Sequence, residues 1–160
     1  MVRKCDEVNL TPDEILVGQF IAETRDQRYQ GLHGKPRHKP GICNGKDSNL
    51  LGVLGEIAFC KLTNTYPLAL DIRECGTIDC RMNGAPVDVK ANDHDNPELW
   101  IYPGTAHKDK PAAWYVLMHT LDGQNFTYKG RISHEYVMSY TTEQRPGCSP
   151  AYIFDAEDLI

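Results

Sequence analysis

The chain has 160 residues, 41% hydrophobic and 24% charged, which suits one globular domain with a real core. Its net charge of −5 excludes a protein that is basic all round and holds nucleic acid by overall charge. No apolar run is long enough to span a membrane and "MVRKCDEVNLTPDE" lacks a signal-peptide core, so an intracellular, cytoplasmic protein with no membrane partner is expected.

In chain order, "TPDEILVGQFIAETRDQ" (11–27) predicts a helix. Thr11 is a good N-cap, Pro12 suits the first helical position, and Glu14 completes a capping box. Gly and Pro in "GLHGKPRHKPGICNGK" (31–46) predict a long loop, a length usually functional or disordered. From Arg25 to Lys46 the cations are Arg25, Arg28, Lys35, Arg37, Lys39 and Lys46, with only Asp26 opposing them before that end. The stretch reads equally as a solvated basic loop or as an arm that contacts phosphates.

"SNLLGVLGEIAFCKLTN" (48–64) predicts a second helix capped by Ser48. "PLALDI" (67–72), "ELWIY" (98–102), "AAWYVLMHT" (112–120) and "NFTYKGRI" (125–132) read as strands, the last two joined at Asp122-Gly123. "SHEYVMSYTTEQ" (133–144) reads as a helix stopped by Pro146-Gly147, and "AYIFD" (151–155) as a late strand. The order implies one α/β domain over 1–160: a mixed sheet with helices packed on it.

"GTIDCRMNGAPVDVKA" (76–91) carries the most chemistry. A two-residue type I′ turn at Asn83-Gly84 would oppose Met82 to Ala85, Cys80 to Val87 and Ile78 to Val89. The last two pairs make an apolar face. Asp79 would then face Asp88, with Lys90 on the same side. Two opposed carboxylates repel, unless a divalent cation lies between them or the face looks into water. Pro86 implies an edge strand or a bulge, and a bulge would shift the register.

On a helical wheel Glu56 falls between Phe59 and Val53, beside Gly52 and Cys60, on a helix apolar nearly all round. A buried carboxylate there needs a cation, a lysine or hydrogen bonds. Gly52 and Gly55 suggest close approach of another backbone.

Together these residues resemble the PD-(D/E)xK nuclease superfamily, especially its small phage and prokaryotic members. The resemblance is carried by Glu56 in "GVLGEIAFCK", Asp79 in "GTIDCR", and Asp88 with Lys90 in "PVDVKA", over residues 48–91. Ile78 stands where the family's name has proline. Segment 1–47 is then an N-terminal helix and basic loop, 48–91 the core motif, and 92–160 the remaining strands and helix. The resemblance implies a restriction-endonuclease-like mixed central β-sheet flanked by α-helices and a Mg²⁺-dependent deoxyribonuclease acting as an endonuclease, for which Mn²⁺ can substitute. Asp79, Asp88 and the Val89 carbonyl would hold the metal, with Glu56 as a further ligand and Lys90 orienting the attacking water. DNA would be the partner, held by the basic arm, and a homodimer would suit the cutting of two strands. The alternative is a nucleic-acid-binding module on the same fold that does not cleave.

The other features are weaker. Asp93, His94 and Asp95 form a polar turn, or add a metal ligand or a substrate contact. His134-Glu135 lacks the second histidine of a zinc-protease motif. Trp100, Tyr102, Trp114 and Tyr115 belong to the core or stack on bases, while Lys129 and Arg131 end a strand or touch phosphate. The six cysteines contain no CxxC pair, and buried reduced thiols fit better than a site built from Cys43, Cys75 and Cys80.

Overall fold

The computed structural model describes residues 2–33, 48–65, 78–107 and 111–160. Along them run β1 (Glu7–Asn9), α1 (Pro12–His33), α2 (Ser48–Thr63), β2 (Cys80–Met82), β3 (Ala85–Asn92) and β4 (Glu98–Ile101). There follow α3 (Pro103–Ala106), β5 (Trp114–His119), β6 (Asn125–Ser133), α4 (His134–Met138) and β7 (Tyr152–Asp155). The strand expected at 67–72 lies outside the described residues.

Five strands form a mixed sheet in the order β1-β6-β5-β3-β2. Only β3 and β5 pair in parallel; the other neighbours are antiparallel. Strands β4 and β7 make a separate antiparallel ribbon. Alternation along the strands supplies two cores. On one face Val87, Val89, Val116, Met118, Phe126 and Tyr128 pack against Leu54, Ala58 and Phe59 of α2. On the other, Tyr115, Leu117 and Ile132 pack against the ribbon through Leu99, Ile101, Tyr152 and Phe154. Helix α1 lies on α2 through Ile21, Ala22 and Val53. No described helix is long and apolar enough to cross a membrane.

The capping box forms as predicted. The Thr11 N–H donates to Glu14 Oε2 at 2.7 Å, and the Glu14 N–H to Thr11 Oγ1 at 3.3 Å. Helix α1 nevertheless runs to His33, past the break expected after Gln27. Gly31 lowers helix propensity by only about 1 kcal/mol. The Tyr29 and His33 rings, one turn apart, meet at 4.3 Å across it. Arg25 and Arg28 therefore stand on a helix, not on a loop.

Helix α4 is shorter than the 133–144 expected and stops at Met138. The β-branched pair Thr141-Thr142 favours helix poorly, and Glu143 instead bridges to Ala151. Strand β1 had no visible signal, being three residues that are paired only by β6.

The two α2 glycines separate. A Cβ on Gly55 would lie 2.5 Å from the Ala91 Cβ, so the helix touches β3 there. A Cβ on Gly52 would meet nothing within 4 Å among the described residues, so its expected close approach is absent. In urea melts Gly55→Ala should lose about 1–3 kcal/mol by overpacking. Gly52→Ala should gain about 0.8–1 kcal/mol from helix propensity. Equal effects at the two positions would contradict this contact.

Candidate active site

The site is built on the β2–β3 hairpin. Asn83 and Gly84 have φ of 50° and 82°, the left-handed pair that a type I′ turn requires. Register follows the turn: Met82 pairs with Ala85, Arg81 with Pro86 and Cys80 with Val87. Pro86 creates no bulge. It occupies a pair whose backbone groups point away from β2, so its missing N–H removes no bond to that edge strand.

The expected pairing of Ile78 with Val89 does not form. Strand β2 begins at Cys80, and the Asp79 N–H turns to the Val87 carbonyl at 2.9 Å. Val89 is left with an N–H aimed at the edge, and Asp79 Oδ2 accepts it at 2.6 Å. The Asp79 carboxylate thus replaces the backbone acceptor that a longer β2 would provide. It reaches the edge of β3 and does not stand squarely opposite Asp88. By strand alternation the Val89 carbonyl leaves on that same side.

Asp88 and Lys90 share the opposite face from Val87 and Val89, as expected. At Asp88, only 7% exposed, that face does not look into water, whereas the Lys90 side chain stays about a third exposed (36%). The Lys90 ammonium donates to Asp88 Oδ1. Burial works against the Lys90 charge, but the Asp88 and Asp79 carboxylates outweigh it and hold its pKa above the usual lysine value. Lys90 therefore stays an ammonium and is not a base.

Glu56 arrives from α2, 7% exposed, as the wheel requires. Its partner is Arg25: Nη1 donates to Oε1 and Nη2 to Oε2, each at 3.0 Å. Both side chains are mostly buried, Arg25 at 14% exposure and Glu56 at 9%. Glu56 also lies within electrostatic reach of Asp79. Burial first, then the Glu56 and Asp88 carboxylates, push the Asp79 carboxyl well above the usual 3.8, while Lys90 and the Val89 N–H oppose the shift.

The sign of that shift has a measurable consequence. The folded chain keeps the Asp79 proton at pH values where the unfolded chain has lost it. The associated stability is full below 3.8 and disappears as the pH rises through the higher folded value. Asp79→Asn, which still accepts from Val89, should raise the melting temperature in chelator at neutral pH. It should also flatten the stability curve above about pH 4, where the unfolded aspartate has lost its proton and the folded one keeps it. An unchanged curve would show that Asp79 carries no strain.

The structure thus gathers Glu56, Asp79, Asp88 and Lys90 around one end of β3. Among the described residues, no three His, Cys, Asp or Glu side chains converge as a ready-made metal cage. The reason is visible in the pairs: Glu56 is turned to Arg25 and Asp88 to Lys90. Of the expected DNA contacts, Arg25 is committed to Glu56 and Arg28 is exposed on α1. Lys35, Arg37, Lys39 and Lys46 lie outside the described residues, as do Cys43 and Cys75.

Two further groups back the site that sequence reasoning did not identify. Tyr115 stands opposite Asp88 across the parallel β3–β5 ladder and is fully buried. Its hydroxyl shares a 3.2 Å hydrogen bond with His134 Nδ1 at the start of α4. Burial, then Asp88 and Tyr152, push the phenol up to about 12. Tyr115 is therefore core and not a base-stacking surface. Trp114 and Trp100 carry Arg131 and Arg145 over their rings, at 4.3 Å and 5.2 Å. His94, in the turn after β3, offers its carbonyl to His119 Nε2 at 2.9 Å. Cys60 and Cys80 are buried free thiols between α2 and β2.

No protein-family model matches the chain, and no curated protein matches it.

Proposed function

We propose that this protein is a Mg²⁺-dependent nuclease that hydrolyses DNA phosphodiester bonds, acting as an endonuclease on a restriction-endonuclease-like form of its mixed sheet. One observation carries the reading. Glu56 on α2, Asp79 just before β2, and Asp88 with Lys90 on β3 meet where the Asp79 carboxylate takes the Val89 N–H and Lys90 holds Asp88. Burial and the Glu56 and Asp88 carboxylates raise Asp79, and the acids keep Lys90 charged. Ionising Asp79 there, against burial and two neighbouring carboxylates, is costly for a protein that does nothing with it.

The donor set fits Mg²⁺. Asp79 and Asp88 with the Val89 carbonyl are hard oxygens, and Mg²⁺ favours one or two carboxylates with water completing its shell. The field that raises Asp79 is one that a divalent cation relieves. When bound, the ion would supply charge neutralisation at the scissile phosphate and a more acidic water. Asp79 and Asp88 would fix its position through backbone-anchored strands. Lys90, held charged beside Asp88, would orient the attacking water and stabilise negative charge developing on the phosphoryl oxygens. Mn²⁺ offers the same ligand preference.

The test is incubation of the whole chain with supercoiled plasmid. Nicking or linearisation in Mg²⁺ or Mn²⁺, absent in EDTA and lost in Asp88→Ala, supports the proposal. Salt-sensitive binding with no cutting under either ion would instead identify a module that binds and does not cleave. Neither binding nor cutting would remove nucleic acid as the ligand.

A further inference from the structure

The Arg25–Glu56 pair, like the Lys90–Asp88 pair, places a cation on a carboxylate of the site and so works against metal loading. The Arg25 fork donates to both oxygens of the Glu56 carboxylate, at 3.0 Å each, so both oxygens are engaged by a cation. A guanidinium holds a phosphate with the same planar two-point geometry that it uses for a carboxylate.

We propose that Arg25 is a phosphodiester-binding residue of this site, and that it exchanges Glu56 for a substrate phosphate, freeing Glu56 to complete the metal site. The proposal rests on the nuclease reading above. Metal loading and phosphate binding are then one coupled event, each strengthening the other.

Charge balance points the same way. Among the described residues of the cluster, the fully ionised Glu56, Asp79 and Asp88 exceed Arg25 and Lys90 by one negative charge. A divalent cation alone overshoots to one positive charge. A phosphodiester carries one negative charge and closes the balance, whereas a terminal monoester carries nearly two and does not. In a largely buried cluster such a residual charge is poorly screened, so the neutral combination is favoured. The substrate class that follows is an internal phosphodiester of a polynucleotide.

The geometry gives Arg25 somewhere to move from and a reason to do so. It stands on α1 and Glu56 on α2, so neither partner of the pair belongs to the hairpin that carries Asp79, Asp88 and Lys90. Linkage requires the effect to be reciprocal, so it can be read from the metal side without any turnover.

The experiment is calorimetric titration of Mg²⁺ into the intact protein, alone and with a cleavage-resistant phosphorothioate oligothymidylate. A methylphosphonate oligomer of the same sequence, which has no backbone charge, is the control. For the wild type, Mg²⁺ affinity should rise about tenfold with the phosphorothioate, within the usual range of site–site coupling. It should not change with the methylphosphonate. Arg25→Lys keeps a cation beside Glu56 but loses the fork, so its coupling should fall to within about twofold.

Wild-type Mg²⁺ binding that ignores the phosphorothioate would overturn the exchange while leaving the metal site standing. Full coupling in Arg25→Lys, or equal coupling by the methylphosphonate, would also overturn it. No Mg²⁺ binding by the wild type in either arm would overturn both this proposal and the nuclease reading. The wild-type arms decide the matter even where a variant folds poorly.

Discussion

Lys90→Met should slow Mg²⁺-dependent plasmid cleavage by about 10²- to 10³-fold, the usual consequence of removing one preorganised donor to developing charge. The methionine keeps the bulk of the lysine stem and removes only the ammonium. The variant also separates the roles of the two β3 residues. Lys90 lies beside Asp88 and within the field of Asp79. Taking away its positive charge leaves the carboxylates more attractive to a dication, so Mg²⁺ affinity should hold or tighten while the maximal rate collapses. Asp88→Asn should lose both. Initial rates against Mg²⁺ concentration resolve the two patterns. Cleavage by Lys90→Met at the wild-type rate would remove Lys90 from the chemistry.

The second large effect is on stability. Arg25→Ala should cost about 3–5 kcal/mol, because it leaves the buried Glu56 carboxylate without its counter-charge. For a domain of this size each kcal/mol is roughly 2–4 °C in melting temperature, so a fall of about 6–20 °C is expected. The pair as a whole is worth far less than its halves. Arg25→Met combined with Glu56→Leu should recover most of the loss, since a buried ion pair replaced by apolar residues is often neutral. Thermal melts of the wild type and these two variants in chelator measure this directly. A loss below about 1 kcal/mol for Arg25→Ala would mean that the pair behaves as a surface salt bridge.

These two predictions meet at a single feature of the fold. The α1–α2 contact puts a cation onto Glu56, and the hairpin puts a second cation onto Asp88. In the absence of a metal, every carboxylate of the cluster has a protein partner: Arg25 for Glu56, the Val89 N–H for Asp79, and Lys90 for Asp88. Such a cluster folds without its ion. It also explains why the acids are near one another but do not form a cage.

The hairpin was legible because its determinants are local. Asn83-Gly84 demands the left-handed pair, the turn sets the register, and alternation then places Asp88 and Lys90 on one face and Val87 and Val89 on the other. The burial of Glu56 and its need for a counter-charge were also local facts, read from a helix with no polar side. The end of β2 was not legible. Residue 79 turns its carboxylate onto Val89 because β2 stops at Cys80, and where an edge strand stops depends on what lies beside it. The length of α1 was misjudged for a related reason. A helix docked on another tolerates Gly31, because packing outweighs a propensity deficit of about 1 kcal/mol.

By itself, then, the sequence determined a mixed α/β chain, the register of the hairpin, the shared face of Asp88 and Lys90, and the burial of Glu56 with its need for a counter-charge. Those follow from turn chemistry, periodicity and the cost of burying charge, all of which act over a few residues. Only the tertiary structure decided the partners. The choice of Arg25 for Glu56, separated by 31 residues along the chain, and the placing of Tyr115 behind Asp88 through a parallel ladder depend on how α1 lies on α2 and β5 on β3. Such contacts are set by the packing of whole elements, and no pattern within either segment encodes them.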